Sequence, residues 1–273
     1  MTDDGAFRVV VASTSHTVRS AIHAQRADGA PARLLGELLT GSILFRETMA
    51  PSLRVQAILL DAKGKGRLVA DSFPDGGTRG LVSGLQQPRE FELGAGATLE
   101  LMRTLPNGSL NRGVVGAPER GGLSRALMTY MQTSEQVLSA IAVSCALGPD
   151  RRPRAGGYVV QLLPELPHDA LTTMTERLST LADPAELLRQ ASDIRRFLEL
   201  LLADMPFTLL DSRPVRFQCH CSHVRVIASL AILPRSEIEA MITEGDVVQA
   251  ACDYCGKEYR VSPQQLLGLL QQS

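Results

Sequence analysis

An α+β fold follows from three features of the chain. Strand-like runs and helical stretches are mixed over residues 1–168, the segment 169–212 has helical spacing without a strand signal, and four cysteines stand in two close pairs near the C-terminus. The expected organisation is an N-terminal β-sheet domain with packed helices (1–168), a helical linker (169–212) and a small zinc-binding module (213–273).

Taken in order, Phe7 to Ala12 is a short β-branched run and predicts a buried strand, followed by a helix over about Thr17 to Ala27. Asp28-Gly-Ala-Pro31 is expected to break and restart the chain. The leucines at 34, 35, 38 and 39, with Phe45, give helical spacing from Ala32 to Met49, a core helix packed on a sheet and ended by Pro51. Leu53 to Leu60 and Leu68 to Phe73, joined by Lys63-Gly-Lys-Gly66, predict a hairpin. Further strands are expected at Arg79 to Ser83, Thr98 to Thr104 and Ser109 to Val115. Lys63-Gly-Lys-Gly66 and the stretch Gly113 to Gly116 lack the spacing of a phosphate-binding loop, so both are read as turns. Ser124 to Gln132 predicts a helix, and Val137 to Leu147 and Tyr158 to Leu163 the last strands, closed by Pro164 and Pro167. Cys145, inside one of these apolar runs, reads as a buried, inert thiol.

From Asp169 to Ser212 the character changes. Eight acidic residues face four basic ones, glycine is absent, and leucines recur at helical spacing. Three short helices are expected, Thr172 to Leu181, Pro184 to Gln190 and Ile194 to Leu202, with apolar stripes that need a partner surface and little stability alone.

The chemistry lies beyond them. Cys219-His-Cys221 is answered by Cys252-Asp-Tyr-Cys255, with thirty residues, Ser222 to Ala251, between the pairs. A tetrahedral Zn²⁺ takes four thiolates delivered in pairs from two turns, and thirty residues leave room for two helices and a strand to bring the second turn back to the first. Gly256 can take a positive φ after the second turn and let backbone N–H groups face the sulfurs. The first pair has a single intervening residue. Such a pair can chelate zinc, and it can also close into a strained, easily reduced disulfide ring. A site that is metal-bound when reduced and disulfide-bonded when oxidised is a chemical switch. His220 and His223 are spacers or neighbours of the ligands, since four thiols already complete the set. His16, His23 and His168 have no acidic or thiol companion at useful spacing.

Phe217-Gln-Cys219-His-Cys221-Ser222, the gap, Cys252-Asp-Tyr-Cys255-Gly256 and Tyr259 resemble the C-terminal module of the heat-shock protein 33 family, the redox-regulated holdase chaperones also called 33 kDa chaperonins. Ser134-Glu-Gln136 and Gly156-Gly-Tyr-Val-Val-Gln-Leu-Leu-Pro164 resemble that family's N-terminal domain, so the likeness covers nearly the whole chain. The resemblance implies a non-enzymatic, ATP-independent chaperone, quiet while Cys219, Cys221, Cys252 and Cys255 hold Zn²⁺. On oxidation it implies local disulfides, Cys219 with Cys221 and Cys252 with Cys255, then zinc release and unfolding of module and linker. Apolar surface would then bind unfolding client proteins, commonly as a homodimer.

Composition narrows the rivals. With 273 residues, 44% hydrophobic and 21% charged, the chain has an ordinary soluble globular make-up. A net charge of −1 offers no overall basic field for nucleic acid or acidic membranes. Six basic residues balance six acidic ones between Arg213 and Ser273, so a zinc-stabilised interaction module with a purely structural metal remains the alternative, with nucleic acid disfavoured as its partner. No apolar run reaches about 18 residues, and Met1-Thr-Asp-Asp4 does not start a signal peptide, so no membrane is expected and the cytoplasm is the expected compartment. Five cysteines, one isolated, fit metal chemistry in a reducing compartment better than a secreted disulfide framework. A thiol oxidoreductase using Cys252-Asp-Tyr-Cys255 is disfavoured because that motif does not open a helix after a strand.

Overall fold

The computed structural model describes residues 1–48, 54–85, 90–147, 152–163, 168–181 and 183–270. Chain contacts divide it into two compact units, Met1–Gln218 and Cys219–Ser273.

The first unit opens with β1 (Phe7–Ser13), α1 (Ser15–Gln25) and α2 (Gly29–Glu47). An antiparallel meander follows: β2 (Val55–Leu60), β3 (Arg67–Ser72) and β4 (Gly77–Ser83), then β5 (Thr98–Thr104) and β6 (Leu110–Gly116). α3 (Gly122–Tyr130) runs into a π-helical turn, Met131–Glu135, before β7 (Ser139–Leu147) and β8 (Pro153–Leu162). Three helices follow, α4 (His168–Thr180), α5 (Pro184–Gln190) and α6 (Ile194–Leu202), and then β9 (Arg216–Phe217). The strands form two sheets, ordered β1-β8-β7 and β6-β5-β2-β3-β4-β9.

α2 is the centre of this unit. It packs against strands of both sheets and against α1 and α3, and its buried residues run all round it from Pro31 to Arg46, as expected of a helix with no solvent face. Its start differs from the sequence expectation: Gly29 and Pro31 lie inside the first turn. Proline is tolerated there because a first-turn N–H has no intrahelical acceptor to lose. The expected end at Met49 and Pro51, the strand start at Leu53, and the closing prolines 164 and 167 lie outside the described residues.

Both faces of the β1-β8-β7 sheet are covered, which is why β8 reads as an almost unbroken apolar run. Val10, Ile141, Val143, Cys145 and Val159 face the α2 core. Val9, Val11, Tyr158 and Val160 alternate with them and face the apolar stripes of α4, α5 and α6. Those helices have local reasons to form. Asp183 caps α5 by accepting from Ala185 N (2.8 Å) with Pro184 at the first position, and Asp193 caps α6 by accepting from Arg196 N (2.8 Å). Phe197, Leu198, Leu201 and Leu202 then fall on one buried face of α6. The guanidinium of Arg177 on α4 donates to the carbonyls of Leu200 and Leu201, satisfying acceptors that the end of α6 leaves open.

On the outer face of the larger sheet, Asp71 is fully buried and accepts from Arg54 (2.7 Å), Gln56 (2.9 Å) and Arg79 (2.9 Å), so its charge is compensated. Lys63-Gly-Lys-Gly66 is the expected turn, but Gly113 and Gly116 belong to β6. A Cβ on Gly113 would lie 2.7 Å from the Tyr130 ring, so this glycine serves packing on a strand rather than turning the chain.

Gly36 on α2 is a comparable close approach, where a Cβ would stand 2.5 Å from Cys145 Sγ and 2.9 Å from Val18 Cγ1. Gly36→Ala should therefore destabilise by about 1–3 kcal/mol through overpacking, although alanine is the better helix former by about 1 kcal/mol. Denaturant midpoints at constant slope test this; an unchanged or raised midpoint would show that Cys145 moves aside without cost.

Candidate metal centre

The second unit begins at Cys219. α7 (His223–Leu230) and α8 (Arg235–Glu244) lead to an antiparallel hairpin, β10 (Val248–Ala251) with β11 (Glu258–Val261), and α9 (Pro263–Leu270) ends it. Two helices and one strand thus fill the thirty-residue interval, as its length suggested. The unit has little core: Ile238, Val261 and Leu266 are buried, with half-buried aliphatics of α7, α8 and α9 around them.

The interval returns the second pair of cysteines to the first. Cys219 and Cys221 stand just before α7, whose N-cap Ser222 accepts from Arg225 N. Cys252 and Cys255 sit in the turn of the β10–β11 hairpin. That turn is closed by Cys252 N donating to Lys257 O (2.9 Å) and by Cys255 N and Gly256 N donating to Cys252 O (3.3 and 2.7 Å). Gly256 takes φ +70°, as its position after the knuckle required, but its N–H goes to a carbonyl.

All four sulfurs lie within 4.8 Å of one another, a group that could hold a metal ion. Cys219 Sγ to Cys252 Sγ is 3.7 Å, and Cys221 Sγ to Cys255 Sγ is 3.5 Å. The edge of a tetrahedron of sulfurs at the zinc–thiolate distance of about 2.3 Å is about 3.8 Å, so the donor set fits a tetrahedral thiophilic ion. His220 and His223 are not in the group. The backbone carbonyl of His220 accepts from Arg225 (2.9 Å), and His223 Nε2 lies 2.9 Å from the carbonyl of Arg260.

The electrostatics point the same way. Burial works to raise the Cys221 thiol, but hydrogen bonds from the Tyr259 hydroxyl and the neighbouring thiols outweigh it and bring Cys221 down to about 7. Cys255 is pushed up to about 12, by burial first; the Lys257 N–H opposes this, and the neighbouring thiols add to it. One thiolate in the cluster therefore resists a second, and a cation is what lets all four ionise together. Cys145 is remote in character: buried on β7, its thiol is driven up to about 12 by burial, which fits an inert core residue.

One participant was not singled out for its chemistry in the sequence. Tyr259 donates its hydroxyl to Cys221 Sγ at 3.0 Å. The available signal was the two-residue period of β11, which puts Tyr259 and Val261 on its buried face four residues after the last cysteine.

Among the described residues no helix is long and apolar enough to cross a membrane. A family model described as Hsp33 protein matches residues 1–262. The chain is 28% identical over 282 residues to a 33 kDa chaperonin of Lactiplantibacillus plantarum, covering 98% of this chain and 94% of that one. It is 27% identical to the 33 kDa chaperonin of Bacillus subtilis, covering 99% and 96%. In fold it is similar to the crystal structure of a 33 kDa chaperonin, a heat shock protein 33 homologue, from Thermotoga maritima. The TM-score is 0.84 at 22% identity, over 98% of this chain and 95% of that one.

Proposed function

Because this chain belongs to the Hsp33 family of chaperones, we propose that it is a redox-regulated holdase, quiet while Cys219, Cys221, Cys252 and Cys255 hold Zn²⁺. Oxidation of those thiolates would let it bind unfolding polypeptides without ATP. The observation that carries this reading is the convergence of four sulfurs within 4.8 Å in a unit with almost no core of its own. Bound zinc supplies a centre that neutralises the thiolates and ties the two knuckles together.

A peroxide or hypochlorous acid takes two electrons from a thiolate, and the sulfenic acid or sulfenyl chloride so formed condenses with a neighbouring thiol, expelling water or chloride. We assign the pairs as Cys219 with Cys221 and Cys252 with Cys255. Ligands lost to disulfides no longer hold an ion, and the unit loses what folded it. The unfolding then spreads back along the chain into residues 169–212. Detachment of α4–α6 would bare Val9, Val11, Tyr158 and Val160 on the sheet and Phe197 and Leu201 on the helix, a surface suited to unfolded clients. The working form is proposed to be an oxidised homodimer in the cytoplasm.

The test treats purified, reduced protein with peroxide at elevated temperature or with hypochlorous acid. Released zinc is followed with a chromogenic chelator, and suppression of aggregation of a thermally unfolding client is read on the same samples. Zinc release and client protection should rise together and reverse with a thiol reductant. Zinc release without protection, or equal protection by the reduced protein, would make the metal purely structural and the chain a zinc-stabilised interaction protein.

A further inference from the structure

We infer that the Tyr259 hydroxyl restrains oxidation of the cysteine cluster by donating a hydrogen bond to Cys221 Sγ, so that Tyr259 is the positioning residue that sets how fast the cluster responds to an oxidant. This rests on the metal-thiolate reading above. The geometry is specific. The hydroxyl stands 3.0 Å from the sulfur, and the ring, 8% exposed, is held from α7 and from the turn of its own hairpin. The His223 imidazole at the start of α7 stacks with it at 6.3 Å and 30°. The Lys257 ammonium lies 5.3 Å from its centroid. His223 is itself fixed by its contact with the Arg260 carbonyl, so the phenol has little freedom to swing off the sulfur.

A hydrogen bond to a thiolate draws charge out of the lone pair that must attack the oxidant. In the step concerned, the thiolate lone pair attacks one oxygen of hydrogen peroxide, the O–O bond breaks to leave a sulfenic acid, and the other oxygen departs as hydroxide, which takes a proton from the buffer acid. The sulfenic acid then condenses with a neighbouring thiol to form the S–S bond and water, so two electrons pass from sulfur to peroxide. The bond from Tyr259 is strongest to the full thiolate and weaker once negative charge has moved towards oxygen. It therefore stabilises the resting state more than the transition state.

Tyr259→Phe keeps the ring and its contacts and removes only the donor. Its expected signature has three parts. Thiol loss under excess hydrogen peroxide should be about fivefold faster than in the wild type, a fraction of what a hydrogen bond to a charged group can contribute. In cobalt(II)-loaded protein the tetrahedral ligand-field bands should persist while the thiolate-to-cobalt charge-transfer bands shift to lower energy. Cobalt transfer to a competing chelator without oxidant should stay at the wild-type rate. Equal oxidation rates in the two proteins, unshifted charge-transfer bands, or chelator transfer accelerated in step with oxidation would each overturn the inference, the last by showing that the ring merely packs the unit. Wild-type protein without thiolate-to-cobalt bands would instead sink the metal reading and this inference with it, because in a metal-free cluster the same hydrogen bond favours the reactive thiolate over the thiol.

Discussion

Cys252→Ser should bind no metal at neutral pH and should lose the ordered structure of residues 219–270, with the loss reaching residues 169–212 under the proposed function, while leaving the two sheets and α2 of the first unit folded. Its effect is expected to be the largest of any single substitution in the chain. Three buried aliphatic side chains, Ile238, Val261 and Leu266, form the core of that unit. Each contributes about 1.5–3 kcal/mol on full burial, whereas ordering the backbone costs about 1–2 kcal/mol for every residue held. Structural zinc in comparable small modules contributes about 10–16 kcal/mol, so under the proposed function the metal would decide whether the unit folds. Amide hydrogen exchange reads the result directly. Protection in α7, α8, β10, β11 and α9 should vanish in the variant, and equally in reduced wild-type protein stripped by a strong chelator, while β2, β3 and β5 keep theirs. A variant that retained protection across the hairpin would show that apolar packing holds the module and that the cysteines serve some other end.

Phe197→Ala should loosen the α4–α6 layer by about 3–5 kcal/mol, the cost of removing a fully buried aromatic ring. Phe197 lies at the centre of the smaller core of the first unit, among Phe7, Tyr158 and Val160 from the sheet and Met174, Leu187 and Leu201 from the helices. The larger core around α2 shares none of these side chains, so exchange should rise in α4–α6 and remain slow in β2 and β3. Under the proposed function the same change should give client protection without oxidation, because the surface that oxidation uncovers is already partly released. Arg196→Ala, on the exposed face of α6, is the control and should shift stability by no more than about 0.5 kcal/mol. If Phe197→Ala raises exchange in α4–α6 and the reduced protein still gives no protection, the client surface lies elsewhere.

Much of the fold is legible in order along the chain. β5, α5 and α6 fall on the expected segments, and β1, α1 and the β2–β3 hairpin lie within a few residues of theirs, because short apolar runs bounded by glycine or proline carry a clear period. What the period cannot carry is which face meets which partner. Leu34, Leu35, Leu38 and Leu39 predict a helix packed on a sheet, yet α2 is enclosed by both sheets and two helices. That follows from the β1-β8-β7 sheet and the meander both packing on α2, which no local pattern records. The strand expected at Ser109 to Val115 is β6, which overrides the turn reading of Gly113 to Gly116; Tyr130 is distant in sequence, and only the packing shows that the missing Cβ of Gly113 is space for a ring.

At the candidate metal centre the division is sharper. The sequence by itself determined the four thiols, their grouping into two pairs and an interval long enough to bring the pairs together, because spacing along the chain is a covalent property. Tertiary structure alone decided that the sulfurs converge within 4.8 Å and that the Tyr259 hydroxyl addresses one of them. These outcomes depend on the hairpin folding back towards the start of α7 and on which side of β11 faces inward. Such distances are set between residues more than thirty positions apart, where local propensity has no reach.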